Sequence, residues 1–148
     1  MRIRKATADD AAALHELYSR HLTAYPPAEQ QDMDIWQDML RRFAADDNYH
    51  LLVLEMAERI VSTITLVIVE NLTHNCHPYA LVENVVTHAG FRGQGYASAL
   101  LRHASALAAT RNCYKIMLLT GSKQESTLSF YRRNGFTDGE KTGFIKRV

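Results

Sequence analysis

Apolar residues change their spacing several times along the chain, and each change marks an element. A strand-like run, "IRKA" (3–6), precedes Thr7, and Asp10 three residues later completes the pattern of a helix-capping box with Asp in place of Glu. Leu14, Leu17, Tyr18, His21 and Leu22 then recur at helical spacing, and Pro26 and Pro27 end that helix. Trp36, Met39, Leu40 and Phe43 predict a second amphipathic helix over 29–45, with these residues in its core-facing stripe. Two β-rich runs, "YHLLVLEM" and "RIVSTITLVIV", are joined by "AE" and predict an antiparallel hairpin. "ENLTHNCHP" reads as a polar loop, and "YALVENVVT" as a strand interrupted by Glu83 and Asn84. Ala97, Leu100, Leu101, Ala104, Leu107 and Ala108 repeat at three and four, the mark of a helix packed on a sheet. "YKIMLLT" reads as a buried strand, 125–134 as a short helix that Gly135 caps in the left-handed conformation, and "GFTDGEKTGFIKRV" as one or two terminal strands.

The predicted order is β-α-α-β-β-β-α-β-α-β, an α/β fold of the α+β kind with a mixed sheet. A doubly wound fold is excluded, because too many strands follow one another without a crossover helix. The 148 residues suit one domain, 1–148, and no linker, repeat or low-complexity tract divides them.

Composition narrows the function classes. With 17 basic and 16 acidic residues there is no global field to draw nucleic acid or an anionic membrane, so any anion site must be local. No apolar run is long enough to cross a bilayer and the N-terminus lacks a signal-peptide core, which makes a cytoplasmic location the expectation. Cys76 and Cys113 stand far apart, outside any CxxC, and read as buried or incidental thiols. His74, Cys76, His77 and His88 have irregular ligand spacing with no second pair, so no metal is expected. Instead, the "HNCH" loop is expected over the substrate mouth, with His74 or His77 against the acceptor.

"VVTHAGFRGQGYASALL" passes from strand to helix through three glycines, Gly90, Gly93 and Gly95. Such a turn puts unpaired N–H groups and the positive end of a helix dipole at one point, and glycine lets a ligand approach the main chain. That geometry suits a pyrophosphate, although glycines also simply make turns. A P-loop would end in Gly-Lys-Ser/Thr, whereas this one continues "GYAS"; a dinucleotide fingerprint would place an acidic residue at the end of the next strand, which ends in Thr120.

Arg92-Gly93-Gln94-Gly95-Tyr96-Ala97 resembles the R/Q-x-x-G-x-G/A signature of the GCN5-related N-acetyltransferases (GNAT), and "FYRRNGF" (130–136) resembles that family's second signature. The order of elements matches as well, so the resemblance covers essentially the whole chain. Within the superfamily, "HNCHPYALVENVVTHAGFRGQGYA", "NCYKIML" and "TLSFYRRNGF" look most like glucosamine-6-phosphate N-acetyltransferases, with Asn84 where those carry Asp at the substrate end of the site.

The resemblance implies an acyl-CoA N-acyltransferase fold and transfer of acetyl from acetyl-CoA to a primary amine, such as an amino sugar phosphate or another small amine. It places pantetheine along Val85, Val86 and Thr87, with a main-chain N–H near Val86 on the thioester carbonyl. Pyrophosphate would rest on Arg92, Gly93, Gln94, Gly95, Tyr96 and Ala97, and the Gln124 amide would contact the cofactor arm. It also implies a homodimer. Glu83 is the candidate base, acting directly or through water, since a carboxylate interrupting an apolar strand must face something polar, although an ordinary ion pair or a solvent-facing strand position would serve as well. A lysine-like amine costs roughly 4.6 kcal/mol to deprotonate at pH 7 and an α-amino-like one only about 1.4, so a strong base is needed mainly for the former. Glu83 and Asn84 together mark the acceptor side. Tyr131 is the candidate acid for the departing thiolate, with core packing as its other reading. Arg132 and Arg133 form a solvated helix face or contact a cofactor phosphate. The rival to an enzyme is a non-catalytic acyl-CoA sensor that keeps the fold and the glycine loop.

Overall fold

Main-chain pairing in the computed structural model, which describes residues 1–22 and 32–148, builds a mixed five-stranded sheet. Its elements are β1 (Arg2–Lys5), α1 (Ala11–His21), α2 (Met33–Ala45), β2 (Tyr49–Met56), β3 (Arg59–Val69), β4 (Tyr79–Thr87), α3 (Tyr96–Thr110), β5 (Ile116–Leu118) and α4 (Glu125–Arg133). The strands lie in sequence order; β1 to β4 are antiparallel, and α3 is the crossover that lets β5 run parallel to β4. This is the mixed α/β sheet that the sequence predicts.

Local chemistry sets the joints. Asp10 Oδ2 accepts the main-chain N–H of Thr7 at 2.7 Å, and the same carboxylate takes the Arg4 guanidinium, which also pairs with Glu55 on β2. Burial works to raise the Asp10 carboxyl, but the bonds from Arg4 and Thr7 outweigh it and hold it below the usual carboxylate range. Ala57 and Glu58 have φ of 47° and 63°, the left-handed pair that a two-residue hairpin turn requires. At the end of α4, Gly135 (φ 88°) lets its own N–H reach Arg132 O at 3.0 Å and that of Phe136 reach Tyr131 O at 3.2 Å, closing the helix as predicted.

Alternation along the central strands divides the core in two. Leu52, Leu54, Val61, Ile64 and Leu66 face α3 and pack on Leu100, Leu101 and Ala104. Leu51, Val53, Ile60 and Val86 face α1 and α2 and pack on Leu14, Leu17 and Leu40, with Trp36 and Phe43 at the margin.

Two expectations change, and a third lies outside the described residues. The described part of α2 begins at Met33, where Asp32 accepts the N–H of Asp34 at 2.9 Å; its predicted start at 29, and the stop at Pro26 and Pro27, lie outside the described residues. β5 is three residues long instead of seven. The terminal strands expected in 135–148 do not form: Arg132 pairs with Asp138 and Thr137 with Glu140, while Phe144, Ile145 and Val148 stand exposed. That segment holds too few apolar residues, without alternation, to offer a buried face, so β5 remains the edge of the sheet.

Candidate active site

A register fault opens the site. Thr63 pairs with Val86 and Thr65 with Glu83, so two steps along β3 match three along β4. The extra residue is Asn84, at φ 51°, a left-handed value that Asn tolerates better than most side chains. Glu83 and Asn84 are both exposed in a strand otherwise buried or partly buried. Beyond the bulge β4 also loses its other neighbour, because pairing with β5 covers only Ala80, Leu81 and Val82.

The gap between β4 and β5 is a cleft of about 1370 Å³, larger than the roughly 300–1,000 Å³ of most small-ligand pockets. Val85, Val86 and Thr87 form one wall, and Gln124 and Tyr131 stand on the other. Ser62 Oγ donates to Val86 O at 2.9 Å, so that carbonyl points to β3, and alternation leaves the main-chain groups of Val85 and Thr87 on the cleft edge.

The glycine turn closes the cleft at the mouth of α3. Gly93 (φ 75°) and Gly95 (φ 81°) are left-handed, and a Cβ at either would meet nothing within 4 Å, so they are required by the backbone angle and not by crowding. The first bond of α3 is Ala99 N–H to Gly95 O at 2.9 Å, which leaves the N–H groups of Tyr96, Ala97 and Ser98 ahead of the ladder. Arg92, Gly93, Gly95, Tyr96 and Ala97 line the cleft; the Gln94 side chain does not, for it bonds Gly90 O and accepts from the Tyr96 hydroxyl. Arg92 ties the turn to its surroundings through Thr87 O (3.2 Å) and His21 O (3.4 Å).

Charge is distributed unevenly. Arg92, Arg102, Lys123 and Arg133 line the cleft, and among its lining residues Glu83 is the acidic one. Arg102 and Lys123 escaped the sequence reading; the available signal was the i, i+4 spacing of Ser98 and Arg102 on one face of α3. Arg132 is occupied by Glu125 and Asp138, so of the two arginines only Arg133 reaches the cleft.

Tyr131 packs against Phe130 and Phe136, with ring centroids 5.0 and 6.1 Å away. Burial pushes its phenol up, and the charge of Glu83 pushes it further. Burial likewise holds the His21 imidazole low, reinforced by His88 and Arg92.

The "HNCH" loop is elsewhere. It precedes β4 and sits at the end of the strand away from the cleft: His74 stacks on Tyr114 at 3.8 Å, and His77 Nδ1 donates to Asn112 O at 3.0 Å. The expected contact of His74 or His77 with an acceptor in this cleft is therefore corrected by strand direction. Cys76 is an exposed free thiol and Cys113 a partly buried one. Among the described residues no group of His, Cys, Asp and Glu is arranged to hold a metal, and no helix is long and apolar enough to cross a membrane.

A model of the acetyltransferase (GNAT) family matches residues 11–136, from the start of α1 through the turn that closes α4. The chain belongs to the GNAT family. Members use acetyl-CoA as co-substrate, and this acetyltransferase is an acetyl-CoA-dependent N-acetyltransferase. It is 29% identical over 121 residues to a glucosamine 6-phosphate N-acetyltransferase of Trypanosoma brucei brucei, a match covering 82% of this chain and 79% of that protein. A solved structure from Agrobacterium tumefaciens str. C58, provisionally described as an acetyltransferase, is 36% identical with a TM-score of 0.88 and full coverage of both chains. A transcriptional regulator from Bacillus halodurans C-125 also superposes at a TM-score of 0.88, with 25% identity and 99% coverage of each chain.

Proposed function

We propose that this acetyltransferase moves acetyl from acetyl-CoA to a primary amine by direct attack, with an amino sugar phosphate such as glucosamine 6-phosphate as the first acceptor to try. The observation that carries this reading is the bulge at Glu83 and Asn84. It places one carboxylate where a cleft lined by four cations meets the free edge of β4. The cations and the amides of the glycine turn suit the phosphates of CoA, and the cleft edge at Val85 and Thr87 suits the amides of pantetheine, whereas the expected pairing through Val86 is corrected by its carbonyl turning to β3.

Glu83 accepts the proton that the acceptor ammonium must lose, directly or through water. A main-chain N–H on the cleft edge receives the oxyanion, an interaction worth about 3–4 kcal/mol. Tyr131 bonds the departing sulfur. Because its phenol is raised, it stays protonated throughout the neutral range and is always available as a donor. The same elevation makes it a weak acid: a phenol near 10 gives its proton to a cysteine-like thiolate near 8.5 at a cost of about 2 kcal/mol or more. It therefore acts by hydrogen bonding as charge builds on sulfur, and full transfer completes only late. A single domain, a homodimer and a cytoplasmic setting accompany this reading.

Thiol release from acetyl-CoA, followed with glucosamine 6-phosphate, other amino sugars, polyamines, amino acids and peptide N-termini, tests it; turnover of one class above the hydrolytic background is the expected result. A second reading, an acyl-CoA sensor, is favoured by one observation, the close superposition on a protein described as a transcriptional regulator. Tight acetyl-CoA binding without turnover of any amine would select it.

A further inference from the structure

Ser62 on β3 lies beneath the cleft edge without lining it. It is fully buried, yet its hydroxyl makes two bonds to β4: it donates to Val86 O at 2.9 Å and meets Thr87 Oγ1 at 2.7 Å. A hydroxyl has one proton to give, and a carbonyl can only accept. Ser62 therefore gives its proton to Val86, and Thr87 gives its own to Ser62. The Thr87 side chain, which lines the cleft, has only lone pairs left to offer there.

The contact of the two hydroxyls follows from the ladder. Ser62 faces Thr87, and facing residues whose side chains come closest are those that exchange no main-chain bonds, so the N–H and C=O of Thr87 point away from β3. Thr87 O accordingly takes Arg92 Nε at 3.2 Å, while the next amide, His88 N–H, returns to Val61 O at 2.9 Å. Val86 C=O and Thr87 N–H belong to one planar trans peptide and point in opposite directions. Whatever fixes that carbonyl against β3 aims that amide into the cleft. Between the bulge and the end of β4 the ladder supplies two pairs for this, Thr63 with Val86 and Ser62 with Thr87.

We propose that Ser62 is a positioning residue for acetyl-CoA: by holding Val86 O it aims the Thr87 N–H at the first amide carbonyl of the pantetheine arm. This rests on pantetheine lying along β4, as in the reading above. Glu83, Val85, Thr87 and the glycine turn succeed one another along the cleft, so a cofactor with its pyrophosphate at the turn and its thioester beside Glu83 passes Thr87 on that arm. Val85 and Thr87 are about 6–7 Å apart along the strand, the reach from a thioester carbonyl to the first amide carbonyl beyond the sulfur. Hydrogen bonds in series strengthen one another, so the proton that Ser62 gives to Val86 O also makes the Thr87 N–H a better donor.

The test sets Ser62→Ala against Thr63→Val. Thr63 is the next residue of β3, equally buried, and its hydroxyl donates to Leu52 O at 2.8 Å, toward β2 instead of β4. Both variants lose a buried bond from a hydroxyl to a carbonyl, and both should melt at a lower temperature. Ser62→Ala alone should raise the Kd for CoA and for acetyl-CoA, about fivefold in each case, the worth of one neutral hydrogen bond, with kcat at saturation little changed. In NMR of the labelled protein the Thr87 amide should shift in free Ser62→Ala and stay in place in Thr63→Val. Ser62→Cys, close in size and a weaker donor, should fall between wild type and Ser62→Ala, and it carries the comparison if Ser62→Ala does not fold. An unchanged Kd in the Ser62 variants, an equal rise in Thr63→Val, or a Thr87 amide that Ser62→Ala leaves unmoved would overturn the role of Ser62. A Thr87 amide that CoA leaves unmoved in the wild type would overturn instead the course of pantetheine along this edge.

Discussion

The charge of Glu83 on β4 reaches the phenol of Tyr131 on α4 and, after burial, is the second cause holding that proton in place. Residues 48 positions apart are thereby coupled across the cleft, and each can be read through the other. In Glu83→Gln the Tyr131 phenol loses one of its two raising influences, so its ionisation, followed by NMR of the labelled ring, should move to lower pH. In Tyr131→Phe, turnover should fall about 10- to 100-fold, within the usual span of acid–base contributions, with acetyl-CoA affinity by calorimetry nearly unchanged. Equal turnover of the two proteins would remove Tyr131 from the chemistry.

The glycine turn should be intolerant of any side chain for a reason of angle. Gly95→Ala forces φ of 81° on a residue with a Cβ, at about 1–2 kcal/mol, even though the space beside it is open. The expected outcome is a lower Tm together with weaker acetyl-CoA binding. Gly90→Ala, whose Cβ would meet the His88 ring at 3.5 Å without a positive φ, should cost less.

Cofactor affinity should follow the cleft cations. Arg133→Ala and Lys123→Ala should each raise the KM for acetyl-CoA roughly tenfold, as expected for a lost charge-assisted bond, and leave kcat at saturation intact. Arg132→Ala, on the same helix but paired with Glu125 and Asp138, should leave that KM alone. Comparing Arg133→Ala with Arg132→Ala separates a general effect of charge from a contact.

Much of this was legible before the fold was known, and the part that was not has a physical cause. The glycine turn and the left-handed stop at Gly135 depend on backbone angles that few residues adopt, so their sequences announce them, whereas the hairpin was legible only from two β-rich runs with a short link, since Ala57 and Glu58 carry no turn signature. The positions of Glu83 and Tyr131 on the cleft followed from a polar break in an apolar strand and from a motif. The bulge did not, because Asn84 carries no mark that separates a left-handed residue inside a ladder from a polar one outside it. Nor did the placement of His74 and His77, since a histidine-rich loop looks the same at either end of a strand. The terminal strands were misread because "GFIKRV" has strand composition, while a strand also needs a partner and a face to bury.

Acid should destabilise the fold before any carboxylate titrates. Burial, followed by Lys5, depresses the imidazole of His50 on β2, whose Nε2 is buried without a partner, and His21 is depressed as well. A histidine held neutral in the native state and free to charge near pH 6.5 when unfolded gives the unfolded chain the greater proton uptake. Stability is then complete above about pH 6.5 and is lost as pH falls from there toward the lowered native values. Thermal melts across pH 5 to 8 should show this slope, and His50→Gln should flatten it.

Asp10 anchors the start of α1 twice, through the Thr7 main chain and through Arg4. Asp10→Ala leaves Arg4 short of a partner in a site where the two side chains are 22% and 10% exposed, and about 2–3 kcal/mol of stability should go with it. Urea unfolding should report this as a lower midpoint with an unchanged slope.

Three residue pairs are all that join β4 to β5, while β3 pairs along most of its length on both sides. Local opening of the sheet is therefore cheapest at that seam, and amide hydrogens of β5 and α4 should exchange with solvent faster than those of β2 and β3. A cofactor lying along the free edge of β4 would add the contacts that the short seam lacks. Acetyl-CoA would then act as mortar between the half of the molecule that carries Glu83 and the half that carries Tyr131, slowing exchange on the far side of a cleft it merely occupies.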